Sequence, residues 1–591
     1  MFVQALAEYA DTYLAGQLSE EAFEEKPVQY FIELDETGTF LNRTENTKAV
    51  QRGKKTVVTQ EALVIPKSPV ARNAGIHPLL AADDIKYVLG AGAWSKPDQK
   101  VRDEELREAF AQLIQDAANE TEDEGLRACA AFYKRSEQLE AARAAFSDAK
   151  AGTLVALSVN GPVVKRQAAK DYWQKHYRTT AAAERVVQGK QAECLISGKI
   201  GPIARTHDKI KGLASLGGQP SGVSLMSFDK EAFRSYGWDQ NENSPVSPDR
   251  ATAYVLALND LLRSDKGRRK DITGVGFIFW TKKPVEFNPM AEIDQPDPSQ
   301  VERLLRFDPV ADPDPNMFYM AGVAGNGGRM LIRYWVAETL AEVKDNLKNW
   351  FLGLRVANVF TGTLSEPPKM WQLLRAIDRT GEPPADRVIA LIRRAVEGNA
   401  QPLEYRMLSA ALARLRAEQG RERLNPVRAG LIRLCLNDQI RARNLAGGLM
   451  TETLDLGQRH PAYLCGRLLA VYEGLQYQAQ GGEVGQTIVD RYFSLASTYP
   501  ALAFPKMEGL GKKHLQKLRR DKAGARVAIE KEIDRLCGEI EQACGYRFPQ
   551  ALDLDGQGRF VLGYHHQRAH HMALALERKQ QENGSKPELT N

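Results

Sequence analysis

No CxxC pair occurs among the six cysteines, Cys129, Cys194, Cys435, Cys465, Cys537 and Cys544. Thiols scattered in this way supply neither a disulfide frame nor a thiolate zinc site, and they suit a reducing compartment. No uninterrupted apolar run approaches the ~18 residues that a membrane span needs. The opening MFVQALAEYADTYLAG has no basic segment ahead of its apolar residues, so a cytoplasmic location is expected. A GxxxxGK[ST] phosphate loop is missing, as is the glutamate of an HExxH zinc helix. No Ser/His/Asp or Cys/His arrangement stands out, and neither an internal repeat nor a long low-complexity tract is present. Catalysis is therefore not expected, and no cofactor is implied.

What is present describes an ordinary globular chain. At 591 residues, with 43% hydrophobic and 26% charged, it implies roughly two to four domains of ~100–200 residues each. The net charge of +5 names no partner, but its distribution is informative. Residues 371–591 hold 33 Lys+Arg against 25 Asp+Glu, so this part is +8 and the remainder −3.

Periodicity supplies the architecture. Phe2 to Leu14 is spaced as an amphipathic helix, Val28 to Leu34 alternates as a strand, and residues 45–72 read as a polar and basic connection. Thr153 to Val159 is a strand that turns at Asn160-Gly161, and Arg166 to Tyr177 is helical. Further on, Val275 to Trp280 is a strand and 287–316 a Pro- and Asp-rich connection. Met317–Val323 and Arg329–Val336, joined by Gly325-Asn326-Gly327-Gly328, have the composition of a β-hairpin, and a helix from Glu338 to Leu354 follows. From Pro367 onward the spacing is helical throughout. The expected fold class is α+β, a mixed N-terminal body with short β-sheets followed by an all-α helical bundle. The expected boundaries are 1–366 for the body, 367–449 for an Arg-rich helical segment and 450–591 for the C-terminal bundle.

The chain is organised around Cys194 to Leu262. A Gly-rich basic segment (Arg205, His207, Lys209, Lys211, Gly212, Gly217, Gly218, Gly222) leads into a strand-like Val223 to Phe228. Asp249 then stands where an N-cap would open the helix Tyr254 to Leu262. Glycine lacks the Cβ that would keep backbone away from a phosphate or a groove floor, so such a loop can approach nucleic acid closely. Gly217-Gly218-Gln219 offers that approach together with a polar side chain for base edges or a wedge between base steps. Lys209 and Lys211 are placed for flanking phosphates, and Asn73, beside Arg72, is a second candidate reader of base edges.

Other clusters invite chemistry less well. His565, His566, His570 and His571 include a pair four apart, as zinc-binding helices require, but no Cys, Asp or Glu nearby completes the set. Asp294, Asp297, Asp308, Asp312 and Asp314 could hold two Mg²⁺ only if they converged, and the intervening prolines splay them. Basic helices are more promising. A 100° step places Lys513, Lys517 and Arg520 together, opposite Leu515, Leu518 and Ala525. Arg387, Arg393, Arg394, Arg414, Arg416, Arg421, Arg423, Arg428 and Arg433 form a second basic region, and the two together suggest a surface that tracks phosphate.

Four stretches, taken as written, resemble one family. GVSLMSFDKEAFRSYGWDQNENSPVS with ALNDLL after it, ARNAGIHPLLAADDIKYVLG at 71–90, FYMAGVAGNGGRMLIRYWVAETLAEVKDNLKNWF at 318–351 and FVLGYHHQR at 560–568 resemble the large subunit of the type I-C CRISPR Cascade surveillance complex. The resemblance implies a non-catalytic, RNA-guided role in antiviral defence. Such a subunit binds the protospacer-adjacent motif in duplex DNA, aids strand separation and R-loop formation, and docks the helicase-nuclease, while sequence is read by guide pairing. The implied partners are double-stranded and displaced single-stranded DNA, guide RNA with backbone and small subunits, and the helicase-nuclease, with no membrane. A metal-dependent nuclease acting on the same DNA is the alternative. The family also makes its small subunit from an internal start, and Met450, just after Gly447-Gly448, is the position to consider here.

Overall fold

The computed structural model describes residues 2–14, 22–52, 55–69, 75–263, 267–418, 420–423, 425–482, 484–521 and 523–584. Two compact units form, 1–210 with 224–260 and 211–223 with 261–591, and each has its own hydrophobic cluster. The fold is α+β, with short sheets toward the N-terminus and helices toward the C-terminus. Among the described residues no helix is long and apolar enough to cross a membrane.

The first unit is built on the two strands expected at 28–34 and 153–159. Tyr30–Leu34 buries Ile32 and Leu34, and Leu154–Val159 is buried from Val155 onward. They pair in parallel at the centre of a four-stranded sheet, flanked by Phe40–Glu45 and Ala82–Asp84. A parallel pair needs a crossover, and its strands are covered on both faces, which is why LVALSV reads as a continuous apolar run. Between them the chain forms the helices Lys100–Thr121, Glu124–Tyr133 and Ser136–Ala145, and Phe110, Ile114 and Phe132 join the buried cluster.

Residues 45–72 are not a plain connection. Thr47–Arg52 and Lys55–Gln60 pair antiparallel, and Ala62–Pro66 pairs with Phe23–Pro27. The β-branched residues Thr47, Val50, Thr56, Val57, Val58 and Thr59 favour the extended backbone, and the lysines among them masked that preference. Near the organising loop two boundaries also differ. No strand forms over Val223–Phe228; Gly222 has φ +106° and the Ser224 hydroxyl takes the Lys209 ammonium at 2.9 Å. The helix expected from Tyr254 begins at Pro248, so Asp249 lies in its first turn rather than at its cap.

In the second unit, Arg269–Ile272, Val275–Thr281, Met317–Asn326 and Arg329–Thr339 make an antiparallel sheet in that order. The expected hairpin is present and longer, with Asn326 opposite Arg329 and a bulge at Gly322/Val323. Thr339 caps the next helix, Leu340–Leu354, through Glu342. The Pro- and Asp-rich stretch carries two short helices, Pro289–Asp294 and Pro298–Leu305, the second capped by Asp297.

One apolar cluster runs from the sheet through 367–449 into 450–591, joining Phe277, Leu391 and Leu408 to Leu468 and Phe560. One close helix crossing in it is between Pro461–Ala479 and Leu554–Gly584. A Cβ at Gly466 would stand 2.0 Å from the Phe560 carbonyl oxygen and one at Gly563 would stand 2.1 Å from that of Tyr463, so only glycine permits the contact. Met450 is buried at the edge of this core. Its amide donates to Asn437 Oδ1 (2.7 Å), and its carbonyl accepts from Asn437 Nδ2 (3.0 Å) and Arg433 Nε (2.9 Å).

Candidate nucleic-acid interface

The loop 211–223 belongs to the second unit and is anchored by Leu213, Leu216 and Val223, all buried. Arg269 fixes its base, donating to the Gly212 carbonyl (2.6 Å) and the Leu262 carbonyl (2.9 Å) while its fork holds Asp271. A single turn of 3₁₀ helix, Ala214–Leu216, ends at Gly217 with φ +89°, a conformation that disfavours any residue with a Cβ. The chain then runs alongside the hairpin end. Gly327 N–H donates to the Gly217 carbonyl (3.1 Å), and Gln219 N–H donates to the Gly327 carbonyl (2.9 Å).

The two glycine runs clear space for one another. A Cβ at Gly325 would lie 2.2 Å from the Gly218 nitrogen, and one at Gly217 would lie 2.8 Å from the Gly325 oxygen. The close approach that the loop glycines permit is therefore made to the hairpin backbone. Its product is Gln219, exposed at a turn closed by Gly222 N–H on the Gln219 carbonyl (3.0 Å), with its side chain over Gly328. Lys211 is exposed in the same loop. Lys209 belongs to the first unit, where its ammonium donates to Ser224. His207 bonds the Tyr254 hydroxyl (2.7 Å), and burial pushes its pKa down to about 4, so it adds no charge at neutral pH. Arg72 and Asn73 lie outside the described residues.

The second predicted site is the helix Pro500–Asp521. Leu518 is buried and Leu515 packs on the core, while Lys513 and Lys517 are exposed, with no ion pair to a described residue. Arg520 lies on this helix, its side chain outside the described ones. Ala525, expected on the packed face, belongs to the following helix, Ala523–Cys544. Lys506 and Lys512 are also exposed on the first helix. Burial, and then the charge of Lys517, lower the His514 pKa.

A family model described as CRISPR-associated protein (Cas_Csd1) matches residues 6–572. The chain belongs to this family, that of the type I-C large subunit. No protein of curated function matches it. Membership makes it CRISPR-associated and of the Cascade type.

In this Cas_Csd1 chain four of the upstream arginines, Arg394, Arg423, Arg428 and Arg433, prove to be internal, Arg387, Arg393, Arg414 and Arg416 are half-buried, and the side chain of Arg421 lies outside the described ones. Arg394 is 1% exposed and paired with Asp438. Arg423 donates to the carbonyls of Glu418 and Val489. Arg433 donates to the carbonyls of Leu352 (2.7 Å), Gly353 (3.0 Å) and Arg355 (3.0 Å), capping the end of Leu340–Leu354, and burial lowers its pKa to about 10. Buried carbonyls at a helix end need donors, and a long guanidinium supplies several at once. Arg428 is buried too. The cationic surface expected here is thus smaller than the arginine count implied, because charge along a sequence does not report burial.

The remaining clusters do not converge. His565 bonds the Ala357 carbonyl (2.7 Å), His566 bonds the Tyr463 hydroxyl (3.1 Å), and His570 is exposed. Asp294 pairs with Lys270 (2.6 Å) and Asp314 with Lys344 (3.3 Å). Among the described residues no group of three His, Cys, Asp or Glu could hold a metal ion.

Proposed function

We propose that the chain is a non-catalytic, cytoplasmic large subunit of an RNA-guided DNA surveillance complex. In this reading it binds the protospacer-adjacent motif in duplex DNA, aids strand separation and R-loop formation, and docks the helicase-nuclease. Guide RNA, backbone and small subunits, and both duplex and displaced DNA are its partners. One observation carries the reading: Gln219 is held exposed on a platform of two interlocked glycine runs. A base-reading group must be placed rigidly, and backbone hydrogen bonds on both sides of Gly218 do this without side chains that would obstruct a groove.

The test compares motif and non-motif duplexes in binding assays. Gln219→Ala and Asn73→Ala together are expected to reduce discrimination by about tenfold or more, since a good base contact is worth roughly 1–3 kcal/mol. Unchanged discrimination would sink the placement. Neutralising Lys513, Lys517 and Arg520 should act differently, weakening binding to all sequences while motif preference survives. The salt dependence should flatten by up to about one slope unit per lost phosphate contact. An unaltered slope would return this helix to the role of a solvated surface.

A further inference from the structure

A cleft of about 740 Å³ opens in the second unit between the helices Met370–Ile377, Tyr405–Ala417 and the start of Pro426–Arg443. This volume lies in the ~300–1,000 Å³ range of ligand sites. Trp371 and Arg375, one helical turn apart, share a face of the first helix, and Arg379 follows in the bend after it. Trp371 is 52% exposed, and Phe360, 39% exposed, lines the same cleft. Arg375 and Arg379 are exposed and pair with no carboxylate among the described residues. Arg414 bonds Glu418 through one terminal nitrogen, but its Nε is buried with no acceptor among the described residues.

Among the described lining residues the one carboxylate is Glu418, which Arg414 holds, so Arg375 and Arg379 are left without one. Uncompensated guanidinium groups call for an anion, and an indole left half open beside them offers a flat apolar face. The ligand class that has both features is a nucleotide strand, with phosphates for the arginines and bases for the ring. We propose that this cleft holds single-stranded nucleic acid, one base stacked on Trp371 and the flanking phosphates on Arg375 and Arg379. The site shares no residue with the glycine platform or with the Lys513 helix.

Fluorescence anisotropy of the purified full chain with labelled oligothymidylate of about 15 nucleotides tests this. Trp371→Ala is expected to weaken binding by about tenfold and Trp371→Phe to retain most of it. Arg375→Ala with Arg379→Ala should weaken binding and lower the salt slope by up to about two units. An oligomer of abasic sites should bind the parent less tightly and be indifferent to Trp371→Ala. Tighter binding of oligothymidylate than of oligouridylate identifies the displaced DNA strand as the ligand, and the reverse identifies RNA. Gln219→Ala should leave strand binding unchanged, so this proposal and the motif reading can fail independently. If Trp371→Ala stays within twofold of the parent, or weakens abasic and thymidylate strands equally, the proposal is overturned. Thermal midpoints matching the parent establish that the variants are folded; should Trp371→Ala shift the midpoint, Trp371→Leu carries the same test.

Discussion

As the pH falls below 6.5 the second unit is expected to lose stability at a rate that climbs to about 6 kcal/mol per pH unit, the sum of four histidines at about 1.4 kcal/mol each. Burial pushes the pKa values of His460, His565 and His571 down to about 4, and that of His566 well below its ordinary value. Neighbouring positive charge adds to burial, from Arg559 at His460 and from His565 and Arg433 at His566. Above the unfolded pKa of about 6.5 these rings are neutral in both states and titration contributes nothing. As the pH falls from there toward 4, the unfolded chain takes up protons that the folded one refuses, and stability drops throughout that window. A typical stability of ~5–15 kcal/mol would be consumed within a few pH units.

Urea unfolding followed between pH 7 and 5 gives the proton uptake directly from the slope. His571→Gln, whose amide can still accept from Gln567 in place of the ring nitrogen that lies 3.0 Å from it, should lower the slope by one proton. An uptake below one proton, or an unchanged slope in this variant, would contradict the assignment.

The second large effect concerns Arg394 and Asp438, each 1% exposed at its side chain. Arg394 Nε donates to Oδ2 at 2.7 Å and a terminal nitrogen donates to Oδ1 at 2.9 Å and to Asn399, while the Leu403 amide donates to Asp438; the other terminal nitrogen is buried without a partner among the described residues. The half-exposed Arg441 lies 3.7 Å from Asp438 Oδ1, but breaking the buried pair from one side still leaves a poorly compensated charge in the core, at a cost of up to about 3–5 kcal/mol. Arg394→Met should therefore lower the urea midpoint of the second unit strongly. The double variant Arg394→Met with Asp438→Leu removes both charges and should recover much of that loss. It leaves the Leu403 amide without an acceptor, worth roughly 1–3 kcal/mol. A double variant no better than the single one would show that desolvation of the remaining charge is not what the single variant suffers.

Period and turn chemistry made much of the fold legible. Alternation found Tyr30–Leu34, the Asn160-Gly161 turn marked the end of the strand Leu154–Val159, and a glycine turn found the 317–339 hairpin. These signals are local, so they survive without knowledge of the partner. The ladder at 47–60 escaped notice because its lysines and glutamines look like loop while its valines and threonines set the backbone. Both glycine runs were visible, but their interlock is a contact between distant segments, and nothing in either run names the other. The arginines misled for the opposite reason. A guanidinium that bonds carbonyls or a single aspartate inside the core is written with the same letter as one in solvent, and only packing tells Arg433 from Arg375. Trp371 gave no warning of its exposure, since a tryptophan within an apolar helix such as Met370–Ile377 reads as core.

The tie between Met450 and the helix Pro426–Arg443 bears on how one gene segment could serve twice. In the full chain, Asn437 and Arg433 grip the backbone at 450, and Leu436 lies against Gly558. A polypeptide begun at Met450 would keep the crossing of Gly466 and Gly563 but would have neither gripping residue. Its first nitrogen would be a charged ammonium, and the flank that Leu436 covers would be bare. The same residues would thus present two different outsides, one sealed by their own upstream helix and one open, so that a chain begun at Met450 would be a distinct building block with an uncovered apolar side.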